Sequence, residues 1–422
     1  MPERSLKFCM VSTFYPPYNF GGDGIYIHRL SNELARRGHH VDVVHCEDAY
    51  SVMQPGGVTG TYANHPNVNV HRLKSSASFM SPLLTQQTGA PVFKRKKLKR
   101  LLEEGDYDVI HFHNMSLIGI TALSYGGGKA VKLYTTHEHW LLCPMHVLWK
   151  FGREVCSKKS CTMCTIAGGR PPQLWRHTGL LEKMVQHVDC FISPSRFTMA
   201  KHIDSGLNIP MRHIPYFLPR VEESVETEFA SDPSNNGKGD RPFFLFVGRL
   251  EKIKGVQNLL PVFRERPDYD LVIAGDGEYR QSLEDLAAGA PNIKFLGRVD
   301  QRQLRQFYRR CIAVVVPSIC YETFGIIIIE AFSVKAPVIV NNLGALPEVV
   351  EDSGGGLVYS GPNELIAAMD RLASEPGLRG KLGISGHDAY LKYWDEDAHM
   401  AQYMGLVGEM QKKRGASNAH QN

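Results

Sequence analysis

Short apolar runs alternate with longer stretches of helical period along nearly the whole chain. The runs at 6–13, 41–46, 68–73, 109–112, 131–136 and 188–193 are short and rich in β-branched residues, and they predict strands. Between them, positions 25–37 and 174–186 place apolar residues at helical spacing, and a further short helix is expected from Arg196. The same rhythm resumes with apolar runs at 243–248, 269–274, 293–296, 312–316 and 337–340. A last helix is expected over 396–411, followed by a frayed tail at 412–422. Strand–helix repetition of this kind predicts an α/β protein with parallel, doubly wound sheets, because a parallel strand pair needs a crossover that a helix supplies.

The rhythm breaks once. Residues 219–242 carry Glu222, Glu223, Glu226, Glu228 and the tract Ser231-Asp232-Pro233-Ser234-Asn235-Asn236-Gly237, which offer little to a core. That composition predicts a linker. At 422 residues the chain is too long for one ordinary core. It therefore divides into a domain at 1–218, the linker, a domain at 243–395 and a terminal segment at 396–422. Two Rossmann-like domains joined in this way are expected to face each other across a cleft.

Composition narrows the class. Hydrophobic residues at 43% and charged residues at 22% are those of a globular protein. No apolar stretch approaches the ~18 residues of a membrane span, and the first residues lack a secretory signal's apolar core, so a cytoplasmic location is expected. A net charge of +5 and a pI of about 8.6 suit anionic ligands or a membrane surface without indicating nucleic acid. The run Lys94-Arg95-Lys96-Lys97-Leu98-Lys99-Arg100 is either a peripheral contact with the inner membrane face or a solvated helix face.

The densest chemistry lies in Tyr321-Glu322-Thr323-Phe324-Gly325-Ile326-Ile327-Ile328-Ile329-Glu330. The pattern puts Glu322 in a loop at a strand's carboxyl end, Gly325 at the turn and Glu330 inside the following helix. Ligands of open α/β sheets settle at that edge, and a helix start there offers amides and a positive dipole end to a phosphate. Carboxylates beside it can accept hydrogen bonds from sugar hydroxyls, which is what a nucleotide-sugar pocket requires. Glu330 stands among isoleucines, where a charge calls for a buried partner or ligand. Arg249 and Lys254 follow the first strand of the second domain, and two cations at that edge can neutralise a diphosphate without a metal. In the first domain, Gly21-Gly22-Asp23-Gly24 follows a strand and lets backbone approach a ligand. It is not G-x-G-x-x-G, which speaks against a nicotinamide-dependent oxidoreductase. His137, in Thr135-Thr136-His137-Glu138-His139, closes another strand and is a candidate at the cleft.

Taken in order, Gly248-Arg249…Lys254-Gly255, Ala274-Gly275-Asp276-Gly277, Phe295-Leu296-Gly297-Arg298-Val299, the E-x7-E pair Glu322/Glu330 and Pro347-Glu348-Val349-Val350 resemble the retaining glycosyltransferases of family 4, which have the two-domain GT-B fold. The resemblance implies an acceptor-side first domain, a donor-binding second domain and a terminal segment returning to the first. It implies that Arg249 and Lys254 bind the donor diphosphate, Glu330 the ribose and Glu322 the donor sugar. Phe324 and Gly325 would offer backbone N–H groups, and the main chain around Arg298 and Val299 would meet the nucleobase. The loop of Gly21 and Gly22 would face the donor phosphates. His137 would lie beside the transferring sugar, bonding a hydroxyl or stabilising positive charge through its carbonyl. The implied donor is a UDP- or GDP-sugar, and the implied acceptor a glycan or lipid-linked sugar, with a small metabolite as the alternative. Retention follows from same-face attack, with no covalent nucleophile and no metal cofactor for catalysis; a nucleotide-sugar-binding protein without turnover is the rival. Ala336 stands where glycine is usual before the proline, and Asn342-Leu343-Gly344-Ala345 has one glycine where two are common.

One cluster lies outside that pattern. Cys143, Cys156, Cys161 and Cys164 form C-x12-C-x4-C-x2-C in a segment with little apolar content. Four thiolates so spaced can clasp a structural zinc. An iron–sulfur cluster, a redox pair and four free thiols fit the same spacing.

Overall fold

A computed structural model describes residues 4–19, 21–54, 58, 60–220 and 241–419. The chain forms two compact units, residues 1–216 with 400–422 and residues 217–399.

The first unit is built on β1 (Lys7–Val11), β2 (His40–Cys46), β3 (Val68–Leu73), β4 (Val109–Phe112) and β5 (Val131–Thr135), with a two-stranded hairpin of β6 (Trp149–Lys150) and β7 (Glu154–Val155), then β8 (Cys190–Ser193) and β9 (Met211–His213). Its seven-stranded sheet runs β3-β2-β1-β4-β5-β8-β9, with every pairing parallel. Phe8, Cys9, Met10 and Val11 are fully buried, as expected of a central parallel strand covered on both faces. The strand order reverses between β1 and β4, and that opens a crevice at their carboxyl ends.

The second unit holds β10 (Phe243–Val247), β11 (Asp270–Ala274), β12 (Ile293–Gly297), β13 (Val314–Val316), β14 (Val338–Asn341) and β15 (Gly356–Tyr359). The sheet runs β12-β11-β10-β13-β14-β15, again all parallel, and reverses between β10 and β13. Phe244, Leu245, Leu271, Ile273, Val314 and Ile339 are fully buried.

Several expectations need correction. The helix expected over 174–186 is broken into a 3-10 turn, Leu174–His177, and a helix, Leu180–Val185, because Gly179 adopts a left-handed φ of 73°. Strands β9 and β15 were not predicted; β9 is three residues long, and β15 opens on glycine, which reads as a turn. The terminal helix runs Glu396–Ala419, well beyond 411, in place of a frayed tail. Contacts hold it: Tyr403 meets His111 at 3.0 Å, and Arg414 donates to Asp189 and to the Gly128 carbonyl at 3.0 Å. Of the expected linker, residues 221–240 lie outside the described residues. At its start, Arg220 pairs with Asp395 within the second unit.

The basic run is less uniform than its sequence. Lys94 is buried and lies 3.2 Å from Asp48, so it is no part of a surface patch. Lys99 and Arg100 reach Glu103 and Glu104 on their own helix, Arg95–Glu104, at 3.6 and 2.8 Å. Arg95, Lys96 and Lys97 are exposed. Among the described residues, no helix is long and apolar enough to cross a membrane.

Candidate functional site

Two loops meet at the carboxyl edge of the second sheet, at its order reversal. The loop after β10 carries Arg249 and Lys254, and the loop after β13 carries Ser318 and Glu322. Lys254 donates to Glu322 Oε1 at 2.7 Å, and the Ser318 hydroxyl donates to the same oxygen at 2.6 Å. The Ile319 N–H on the Ile253 carbonyl (2.9 Å) ties the two loops. Gly255 permits this approach: its φ is +76°, and a Cβ there would lie 1.9 Å from the Pro317 carbonyl oxygen. Arg249 is exposed, with its guanidinium 2.6 Å from Glu251.

The electrostatics keep the pair ionised. Burial pushes the Glu322 carboxyl up, but the charge and hydrogen bond of Lys254, the Ser318 hydroxyl and the charge of Arg249 together leave it below its ordinary value. Burial pulls Lys254 down, and Glu322 more than reverses that. The site is thus a preformed cation–carboxylate couple at the mouth of a sheet crevice.

The other second-unit candidates share its edge in different ways. Gly325 has φ 105° and starts the helix Ile326–Ser333 without a side-chain cap. The Phe324 ring is buried against Trp394, 6.3 Å between centroids, and anchors its loop. Glu330 sits in the second turn of that helix and accepts from the Tyr308 hydroxyl at 3.1 Å, which supplies the partner its apolar setting calls for. Arg298 and Val299 follow β12, two strands from β10, where Asp300 caps the next helix through the Arg302 and Gln303 N–H groups.

In the first unit, His137 is deeply held. Its Nδ1 lies 2.6 Å from the Tyr216 hydroxyl, its Nε2 lies 2.9 Å from His113 Nδ1, and Tyr26 packs edge-on at 5.3 Å. Both ring nitrogens are engaged by protein. Gly21 and Gly22 open the helix Gly22–Arg36 beside this cluster, and Asn114 bridges to Asp23 at 3.1 Å. Gly21 has an ordinary extended φ of −132°, and Gly22 is helical, so neither requires glycine's conformational freedom. Four thiols, Cys143, Cys156, Cys161 and Cys164, occupy the long connection between β5 and β8. A cavity of about 420 Å³ beside that connection is lined by Cys161, Arg176, His177 and Glu182 and by none of the expected donor ligands.

Burial lowers His137 from 6.5 to about 4, only partly offset by Asp23, and His113 is lowered too, by burial and then by His111 and His137. The unfolded chain therefore takes up protons first as the pH falls. Stability from these neutral rings is intact above about pH 6.5 and is lost toward about pH 4. Denaturation midpoints should fall through that window, less steeply for His113→Asn; an unchanged slope would remove His113 from the linkage.

His113, Ser318, Tyr216 and Tyr308 were not singled out from the sequence. Only His113 had a signal, since His111 and His113 alternate with Ile110 and Phe112 and so share one side of the β4 segment. The other three are recognised by tertiary contact alone.

Comparison with known proteins agrees with this architecture. The profile "Glycosyltransferase Family 4" matches residues 20–218, and "Glycosyl transferases group 1" matches residues 228–388. An uncharacterized glycosyltransferase of Methanocaldococcus jannaschii is 28% identical over 93% of this chain and 96% of its own. Among solved structures, sucrose-phosphate synthase from Thermosynechococcus elongatus superposes with a TM-score of 0.72 at 19% identity, over 96% of this chain and 99% of that one. Anabaena HepE, solved in complex with UDP-glucose, gives 0.62 at 16% identity, over 98% and 100%. With two glycosyltransferase profiles spanning most of its length and two parallel Rossmann-like sheets, the chain belongs to the family 4 glycosyltransferases of the GT-B fold.

Proposed function

We propose that the protein transfers a sugar, with retention, from a nucleoside diphosphate donor to a hydroxyl of a cell-surface or lipid-linked glycan. The observation that carries this reading is the Lys254–Glu322 couple, 2.7 Å apart at the point where the second sheet reverses. As the anomeric carbon–oxygen bond breaks, the diphosphate gains negative charge. Lys254 and Arg249 oppose that charge, and the uncapped first-turn amides of the helix Ile326–Ser333 add to them. These cations do the work a metal ion would otherwise do.

Glu322 orients the donor sugar and Glu330 the ribose, while the main chain at Arg298 and Val299 meets the base. The acceptor oxygen bonds the anomeric carbon on the face the phosphate leaves, and its proton passes to the departing phosphate oxygen. His137, with its ring engaged, contributes through its main-chain carbonyl. UDP is the first choice of nucleotide and GDP the second; support for UDP is the complex in which a similarly folded Anabaena protein was solved.

A thermal-shift panel of UDP-, GDP-, ADP- and TDP-hexoses tests the reading. Ligand at a hundredfold its Kd stabilises by about 2.7 kcal/mol, a shift of several degrees, and UDP-hexose should produce it. Slow donor hydrolysis by the wild type, lost in Glu322→Gln, should accompany it. No shift with any of the four would overturn the proposal, and binding without hydrolysis or transfer would favour a non-catalytic binder.

A further inference from the structure

Part of the connection between β5 and β8 is ordered with little apolar packing. From Met145 to Cys164 no residue is fully buried, and the only strands are two residues each, too short to hold themselves. Three non-glycine residues there, His146, Leu148 and Phe151, have left-handed φ values of 73°, 49° and 51°. Such conformations each cost on the order of 1–3 kcal/mol and persist only where the surroundings impose them. Something other than apolar packing must do so.

The four thiols of this segment have overlapping surroundings. Cys143 lies within electrostatic reach of Cys156 and Cys161, and Cys156 within reach of Cys161 and Cys164. A main-chain N–H already addresses one of the sulfurs, from Phe151 to Cys164 Sγ at 3.3 Å. Amides aimed at sulfur stabilise thiolates and orient metal ligands. Cations stand among the neighbours: the half-buried Arg176 guanidinium feels Cys143 and Cys161 as well as Glu138, and Lys150 and Lys159 lie near Cys156. Those cations suit the net negative charge of four thiolates around one divalent ion. His146 is diverted, with its Nδ1 2.6 Å from Glu138.

We propose that Cys143, Cys156, Cys161 and Cys164 bind one structural zinc ion that fixes this connection of the first unit. Among the described residues, no three ligand-type side chains yet stand at coordinating distance. Binding therefore includes rotation of the thiols onto a common centre, with their four protons released to solvent. The proposal is independent of the donor chemistry of the second unit.

The test uses the full chain. Protein purified without chelator should carry about one zinc per chain, falling to under about a tenth in Cys161→Ser/Cys164→Ser. Wild type stripped of metal under reducing conditions and titrated with cobalt(II) alone should develop thiolate-to-cobalt charge-transfer and tetrahedral d–d absorption. The cobalt titration needs no mutant and decides the matter even if the double variant misfolds. Absence of both zinc and the cobalt–thiolate bands while the four thiols titrate as reduced would overturn the proposal. So would full zinc retention in the variant, an iron–sulfide chromophore, or disulfides among the four.

Discussion

Lys254→Ala is expected to lower kcat for sugar transfer by about two to three orders of magnitude, the cost of deleting one group aimed at charge that develops in the transition state. The variant loses the ammonium 2.7 Å from Glu322, leaving that carboxylate with the Ser318 hydroxyl and the more distant Arg249. Lys254 is the strongest influence holding Glu322 ionised against burial, so the Glu322 carboxyl should titrate upward in the variant. The leaving diphosphate carries more charge in the transition state than in the bound donor, so kcat should fall by more than KM rises. Lys254→Arg restores charge on a planar fork that cannot reproduce a single short contact, and should recover only part of the rate. Because the two side chains share one bond, Lys254→Ala/Glu322→Gln should cost well under the sum of the single effects. Steady-state kinetics at saturating acceptor check this. A kcat within about threefold of wild type would place Lys254 outside the transition-state machinery.

What could be read from the sequence divides along physical lines. The strands β10, β11, β13 and β14 were legible because strands buried on both faces are written as continuous apolar runs. Strand β15 was not, because Gly354, Gly355 and Gly356 precede and open it and read as a turn. Charged residues of the site were legible when charge stood in apolar surroundings, as at Glu330, whose partner Tyr308 comes from a separate helix and left no mark in the sequence. The terminal helix shows the same limit, since its length depends on Asp189 and His111, far away in the chain. The part a glycine plays is decided by tertiary contact. Gly21 and Gly22 have ordinary backbone angles, while Gly255 permits a contact that only the assembled loops define.

Gly255→Ala should therefore be strongly damaging to the second unit's site. Its φ of +76° is a left-handed conformation that costs an alanine about 1–2 kcal/mol. The new Cβ would stand 1.9 Å from the Pro317 oxygen and 2.8 Å from its carbonyl carbon, atoms of backbone that no rotamer change can clear. One loop must move, adding about 1–3 kcal/mol for overpacking. The total, about 2–5 kcal/mol, corresponds to a fall in Tm of roughly 4–20 °C for a unit of this size. Gly289→Ala is the control: its φ is +81° and nothing lies within 4 Å, so it should incur the conformational cost alone. The displacement also separates Lys254, the preceding residue, from Glu322, so the donor-induced thermal shift should vanish in Gly255→Ala and survive in Gly289→Ala. If the two variants unfold within about 1 kcal/mol of each other and both still respond to donor, the close approach of the two loops does not organise the site.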